Sequence, residues 1–413
     1  MTEPQRFESA VREILDHGKV VAMPEAWRKD LIAAGNGSLK PSIANALTYF
    51  RHDPVWRAVL GRDNFALRTM ARRKTPWGFS GAWTEQQDTL ACEWLAHQGV
   101  FVSTDVAAKA IETVATEQAF DSLNEWLDSL VWDRKSRVAT WLPDYVGTAE
   151  NSYSCNVGMR TLIAAIARAK RPGCKVDSVL VLEGRQGVGK STVGRILGYL
   201  WYSDDMSEMG SKDSIMQTAA AWVVELAELD ALSRSEQSRI KAFISRSTDR
   251  FRPPYGRRIV EVPRRSIFIG TTNNGAYLRD ETGARRFWPV QCGDINLAGL
   301  ERDREQLWAE AVHLFNAGEP WWISDEAEAE EAAEQQADRY ECDPWQALIS
   351  EWAEGRTSIS VAELLTSAIQ RPAGQWTQAD QNRVARCLRV TGWDRFQQRN
   401  GTGREWRYRR VTE

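Results

Sequence analysis

Gly184-Arg185-Gln186-Gly187-Val188-Gly189-Lys190-Ser191 reads G-x-x-x-x-G-K-S, and its flanks decide the fold. The apolar run Val179-Leu180-Val181-Leu182 leads in, as a buried parallel strand does. Beyond it, Val193, Ile196, Leu197 and Leu200 recur at helical spacing. Strand, glycine loop and helix in that order predict an α/β domain on a parallel sheet. Glycines let the backbone turn tightly, so that successive N–H groups converge on an anion. The helix N-terminus adds positive dipole character toward the same point. Gly184, Gln186, Gly187, Val188, Gly189, Lys190, Ser191 and Thr192 are therefore the expected phosphate cradle. Lys190 would reach the β- and γ-phosphates and Ser191 would offer its hydroxyl to Mg²⁺, so ATP and Mg²⁺ are the expected ligands. A loop that only turned a strand into a helix would need neither Lys190 nor Ser191.

This is the Walker A pattern of P-loop NTPases, and hydrolysis needs acids at a neighbouring strand end. Ala221-Trp222-Val223-Val224 is a second apolar strand closed by Glu225, with Glu228 three residues on. One acid is expected in the Mg²⁺–water shell and the other at the attacking water; Glu225 as metal-shell residue and Glu228 as base, or the reverse. A third strand, Ser266 to Gly270, runs into Thr271-Thr272-Asn273-Asn274. Asn273 is the residue expected to orient water and sense the γ-phosphate, against the plainer reading of a strand-ending turn. Arg285 and Arg286 precede a further apolar strand and suit a finger that neutralises transition-state charge. Which of the two acts, and in which subunit, stays open, and surface ion pairing is the alternative.

With 413 residues the chain holds two or three domains. The boundaries expected are an N-terminal, mostly helical domain over 1–150 and the ATPase domain over 151–322. An acidic helix or linker over 323–342 and a terminal module over 343–413 follow. The net charge of −3 selects no partner, but its distribution does: residues 371–410 carry ten Arg against three acids. The six cysteines form no C-x-x-C pair and there are only four histidines, which argues against zinc. Scattered cysteines without a leader segment fit a reducing cytoplasm, and no apolar run reaches the ~20 residues a membrane span needs. Most of the 19 Trp are expected in cores, with a minority free to stack on bases.

Two segments carry nucleic-acid chemistry. From Lys241 through Arg252, Tyr255, Arg257 and Arg258, cations and aromatics surround a Pro-Tyr-Gly turn, which suggests a hairpin against single-stranded DNA. In the terminal module, helices are expected from Pro344, from Ser360 and from Thr377, the last exposing Arg383, Arg386 and Arg389. A hairpin turning at Asn400-Gly401-Thr402-Gly403 closes it. Three helices and a basic hairpin look like a winged helix-turn-helix that would meet duplex DNA; a packing module or protein adaptor is the alternative.

The order of these motifs resembles the superfamily-3 helicases, AAA+-related ring ATPases of viruses and plasmids. The phrases Ser129-Leu130-Val131-Trp132-Asp133, Arg171-Pro172-Gly173-Cys174-Lys175-Val176-Asp177 and Thr282-Gly283-Ala284-Arg285-Arg286-Phe287-Trp288 are similar to those of the virulence-associated E family of phages and mobile islands. The resemblance covers about residues 50–320. It implies a replicative DNA helicase or translocase of a phage or mobile element, working as a hexameric ring with 3′-to-5′ polarity in the bacterial cytoplasm. ATP would lie between subunits, with an arginine supplied by the neighbour. Lys241 and the Arg250–Arg258 hairpin would face the channel. Many relatives carry a primase, but residues 1–150 show no zinc-ligand cluster or acidic triad, so a separate primase or initiator is expected as partner. An origin-binding ATPase that remodels duplex DNA, or a regulatory or defence-related NTPase acting on a protein, would use the same Walker site.

Overall fold

The computed structural model describes residues 26–410 apart from 206–210, 232, 253–258, 274, 276, 279–283, 340–342 and 401–402. Its first unit sets α1 (Ile43–His52), α2 (Glu85–His97) and α3 (Thr104–Glu117) against an antiparallel sheet. The sheet strands are β1 (Leu60–Asp63), β2 (Arg68–Ala71) and β3 (Gly81–Ala82), in that order. Ser42 and Ser103 cap α1 and α3 by accepting backbone N–H bonds. Trp56 lies buried among Phe50, Trp77, Trp83 and Trp94, so here the tryptophans are packing residues.

The second unit is wider than the sequence suggests. Helices α4 (Ser122–Ser129) and α5 (Ser152–Lys170) lead into it. Leu123, Leu127, Val138, Trp141 and Leu142 pack into the same core as α5 and the central sheet, not into the first unit's core. The expected boundary at 150 therefore moves back to near 120. Helix α5 is Ala-rich because it is buried on most sides, and an Asn151–Ser154 capping box starts it.

The central sheet contains β4 (Val179–Glu183), β5 (Tyr202–Ser203), β6 (Val223–Leu226), β9 (Ile267–Thr272) and β10 (Phe287–Gln291). Its order is β10-β4-β9-β6-β5, and every pairing is parallel. This is a mixed α/β architecture built on a five-stranded parallel sheet. Interior strand β4 is buried along its whole length, which explains its unbroken apolar run. Helix α6 (Lys190–Gly198) follows β4, and α7 (Lys212–Ala219) precedes β6. After β6 come α8 (Arg234–Ile244) and the antiparallel pair β7 (Thr248–Phe251) and β8 (Val260–Pro263). A buried Arg264–Asp249 pair fixes the base of that hairpin.

Helices α9 (Leu297–Ala317) and α10 (Glu326–Asp338) close this unit. Although acidic, α10 is no free linker. Ala332 and Gln336 are buried, Gln336 donates to the Phe287 carbonyl, and Glu328 pairs with Arg160 of α5. Charge lies on its outer face while a narrow Ala/Gln stripe packs inward.

The third unit comprises α11 (Pro344–Ala353), β11 (Ser358–Ile359), helical turns over Val361–Ala368, α12 (Gln378–Val390), β12 (Trp393–Asn400) and β13 (Gly403–Arg410). Its sheet order is β11-β13-β12, and its core gathers Ile349, Ile359, Leu364, Val384, Leu388, Trp393 and Tyr408. Among the described residues no helix is long and apolar enough to cross a membrane.

Candidate functional site

Three neighbouring parallel strands, β4, β9 and β6, end toward one edge of the sheet, with Glu183 level with Thr272 and Leu226 level with Gly270. The carboxyl ends of such strands are where α/β sheets hold ligands. The glycine loop leaves β4 here, with Gly187 at φ +83° and Gly189 at φ +102°. Side chains are disfavoured at such angles, and a Cβ on Gly189 would also meet Leu297 at 3.1 Å. Gln186, Gly187, Gly189, Lys190, Ser191, Thr192, Glu228 and Asn273 line one cleft of about 350 Å³.

Lys190, buried at the start of α6, donates from Nζ to the Gly184 carbonyl at 2.7 Å, the Arg185 carbonyl at 2.9 Å and Asn273 Oδ1 at 3.0 Å. Ser191 Oγ donates to Glu225 Oε1 at 2.6 Å. Glu225 is buried at the end of β6 and its two oxygens receive three donors. Thr271 Oγ1 reaches Oε1 at 2.8 Å, and the Tyr202 hydroxyl donates to Oε2. Burial and that bond to Glu225 push the Tyr202 hydroxyl well above its ordinary pKa, so it remains a donor. Glu228 differs in kind: it is exposed on the cleft and held at φ +52°, a backbone state that non-glycine residues seldom adopt. Asp230 accepts a 3.0 Å bond from Thr272 Oγ1.

Sequence reasoning brings together Lys190, Ser191, Glu225, Glu228 and Asn273, and it overlooks Tyr202, Thr271 and Asp230. Among the described residues no three His, Cys, Asp or Glu side chains converge into a metal cage. The oxygen donors present, Ser191 Oγ beside the Glu225 carboxylate, fit a hard cation that draws the rest of its shell from phosphate and water, as Mg²⁺ does. The nearby Cys292 thiol is half-buried, and desolvation pushes it up to about 12, which keeps it protonated near neutral pH.

Immediately behind the loop, Glu183 is 2% exposed and gripped by Arg339 through contacts of 3.1 Å. Burial pushes the Glu183 carboxyl up, against the lowering effect of Arg339. The Arg339 carbonyl also accepts from the Tyr277 and Leu278 N–H groups, just beyond the Asn273 strand end. One residue at the end of α10 thus joins both sides of the cleft.

The remaining predicted residues lie elsewhere. Arg285 and Arg286 stand at the amino end of β10, which runs parallel to β4. A five-residue strand, roughly 17 Å, therefore separates them from the loop. Arg285 is exposed, and Arg286 Nε donates to Ser245 Oγ at 2.8 Å. Lys241 does not face solvent as expected. It is 6% exposed, with Nζ 6.0 Å from the Phe287 ring, because this face of α8 packs onto β10. Arg252 is exposed at the end of β7, while Tyr255, Arg257 and Arg258 lie outside the described residues. Arg383 is also not free on the surface: it clasps Asp343 at 2.8–2.9 Å and covers Trp345, bracing α12 to α11. The Arg386 side chain lies outside the described set.

Among solved structures, the chain is similar to the apo NrS-1 C-terminal region, at 13% identity and TM-score 0.45 over 87% of this chain and 99% of that one. A second, A form of the same region gives 13% and 0.43 over 69% and 78%. A point mutant of RuvB from Thermotoga maritima gives 14% and 0.23 over 60% and 91%. No curated protein matches the chain in sequence. The family model for the virulence-associated protein E-like domain matches residues 127–341. That span takes in the whole parallel sheet, both sides of the cleft and α10 with its terminal Arg339, and the chain belongs to the virulence-associated protein E-like family.

Proposed function

We propose that this protein is an ATP-dependent DNA helicase or translocase of a phage or mobile element, acting in DNA replication as a hexameric ring. The observation that carries the reading is the convergence of Lys190, the Ser191–Glu225 pair and Asn273 on one cleft at the carboxyl ends of adjacent parallel strands. The glycine-loop N–H groups and Lys190 would hold the β- and γ-phosphates. To do so Lys190 exchanges its bonds to the loop carbonyls for phosphate oxygens while Asn273 keeps its other side in place. Bound Mg²⁺ would supply charge neutralisation at the phosphates, with Ser191 and Glu225 as its protein contacts. Glu225, held by Tyr202 and Thr271, is the positioned member of the acid pair. Exposed Glu228 is the member free to take a proton from the attacking water. Arg285 and Arg286 stand too far from their own loop to reach it, which favours action on the nucleotide of a neighbouring subunit. The winged-helix-like terminal unit would meet DNA.

The test is steady-state ATP hydrolysis with and without single-stranded DNA, beside the particle mass in solution. Strong stimulation by DNA from a hexamer-sized particle is expected. DNA-indifferent hydrolysis from a monomer would overturn the motor reading and favour a regulatory NTPase.

A further inference from the structure

The terminal unit presents exposed cations on its hairpin. Of its arginines, Arg371 pairs with Asp380, Arg383 with Asp343 and Arg407 with Glu363. These three hold the unit together. The hairpin itself, residues 393–410, has six Arg against two acids. Its strands are in continuous register from Trp393 opposite Arg410 to Asn400 opposite Gly403. Side chains on a strand alternate between faces, so Trp393, Arg395, Gln397 and Arg399 share one face with Tyr408 and Trp406 across the ladder. At the inner end of this face, Trp393 and Tyr408 are buried in the unit's core. Toward the turn the same face leaves the core, and Trp406 is 47% exposed. The Arg395 guanidinium stacks on its indole, 3.9 Å from the ring centroid. Arg395 and Arg399 are exposed, and among the described residues no carboxylate pairs with either.

An exposed indole with exposed cations beside it is the chemistry that takes up unpaired nucleotides. The ring offers a stacking surface to any base, and the arginines follow the phosphates. We infer that the turn-proximal end of this face of the β12–β13 hairpin, with Trp406 stacking a base and Arg395 and Arg399 contacting the backbone, is a binding site for single-stranded nucleic acid. The inference rests on the DNA-acting reading above and names the residues of the terminal unit that make the contact. The alternatives for this face are duplex DNA, which presents phosphates but no unpaired base, and an acidic protein segment.

The test uses the full chain and fluorescein-labelled 20-nucleotide oligothymidylate, beside an abasic oligomer of the same length and backbone. Binding is followed by anisotropy across a salt series. Trp406→Ala is expected to weaken oligothymidylate about tenfold and leave the abasic oligomer unchanged, because only the base is lost. Arg395→Gln and Arg399→Gln are expected to weaken both oligomers and to lower the slope of log K against log salt by about 0.7 each. Hydrolysis of ATP without DNA should be unchanged in all three variants. Wild-type affinity retained in all three would overturn the hairpin site while leaving DNA-stimulated hydrolysis, and so the motor reading, intact. Equal loss on both oligomers in Trp406→Ala would overturn base stacking. A wild-type chain that binds duplex but neither oligomer, or no nucleic acid at all, overturns the inference, the last result favouring a protein partner.

Discussion

Lys190 places its ammonium against three oxygens of its own protein, so the cleft is organised around a cation before any phosphate arrives. Glu225 is organised in the same way, with Ser191, Thr271 and Tyr202 fixing both carboxylate oxygens. Glu225→Gln keeps the shape but removes the negative charge. We expect it to lower kcat by at least about 10²-fold while the Kd for a fluorescent ATP analogue stays close to wild type; equal loss of binding and turnover would count against a metal-shell role. Thr271→Val removes one donor to a buried carboxylate and should lower stability by about 1 kcal/mol, read from denaturant midpoints. At this scale the glycine loop was legible because its chemistry is contiguous. Tyr202, Thr271 and Asp230 were not, because they act through hydrogen bonds between side chains on different strands and loops. Lys241 was misread for a related reason: a lysine in a cation-rich stretch looks exposed until the packing of its helix face is known.

Helix α10 shows how an element can hide its role behind composition. Its acids suggest an acidic helix or linker with no part in the site, yet Ala332 and Gln336 seat it on the sheet and Arg339 at its end grips Glu183 beside the phosphate loop. Arg339→Met would leave Glu183 buried without its cation. We expect a loss of roughly 3 kcal/mol in stability together with weaker nucleotide binding, measured by thermal melting with and without ATP; a wild-type melt would exclude the coupling. The brace between α11 and α12 yields a pH prediction. Burial would push the Asp343 carboxyl up, but the hydrogen bonds and charge of Arg383 outweigh it and hold the group below its ordinary value. A depressed carboxyl contributes stability that is full above its unfolded pKa, near 4, and is lost as pH falls through the folded value. Asp343→Asn should therefore melt below wild type at pH 7, and the gap should narrow toward pH 3. A gap that is constant with pH would contradict the ion-pair account. The elements of this unit were legible because caps and turns are local, whereas the commitment of Arg383 to Asp343 joins residues 40 apart in sequence.

For the whole molecule, the parallel sheet separates the two ends of the chemistry. The phosphate loop lies at the carboxyl ends of the strands, and Arg285 and Arg286 lie at the amino end of β10. If each site is completed by a neighbour, two inactive variants should complement each other. Mixing Lys190→Ala subunits with an Arg285→Ala/Arg286→Ala double variant is expected to restore part of the hydrolysis that neither shows alone. No recovery from a mixture shown to co-assemble would argue that the arginines act elsewhere. The α/β class and the strand-loop-helix at its centre could be read from sequence. The sheet order and the placement of residues 122–150 in the central core could not, because both depend on contacts between distant segments. The turnover and complementation expectations require that the cleft around Lys190 hydrolyses nucleotide. The most direct measurement is steady-state ATP turnover by the purified protein and by Lys190→Ala. The account predicts clear Mg²⁺-dependent turnover in the wild type and none above background in a variant that still melts cooperatively. Equal turnover in the two proteins would contradict it.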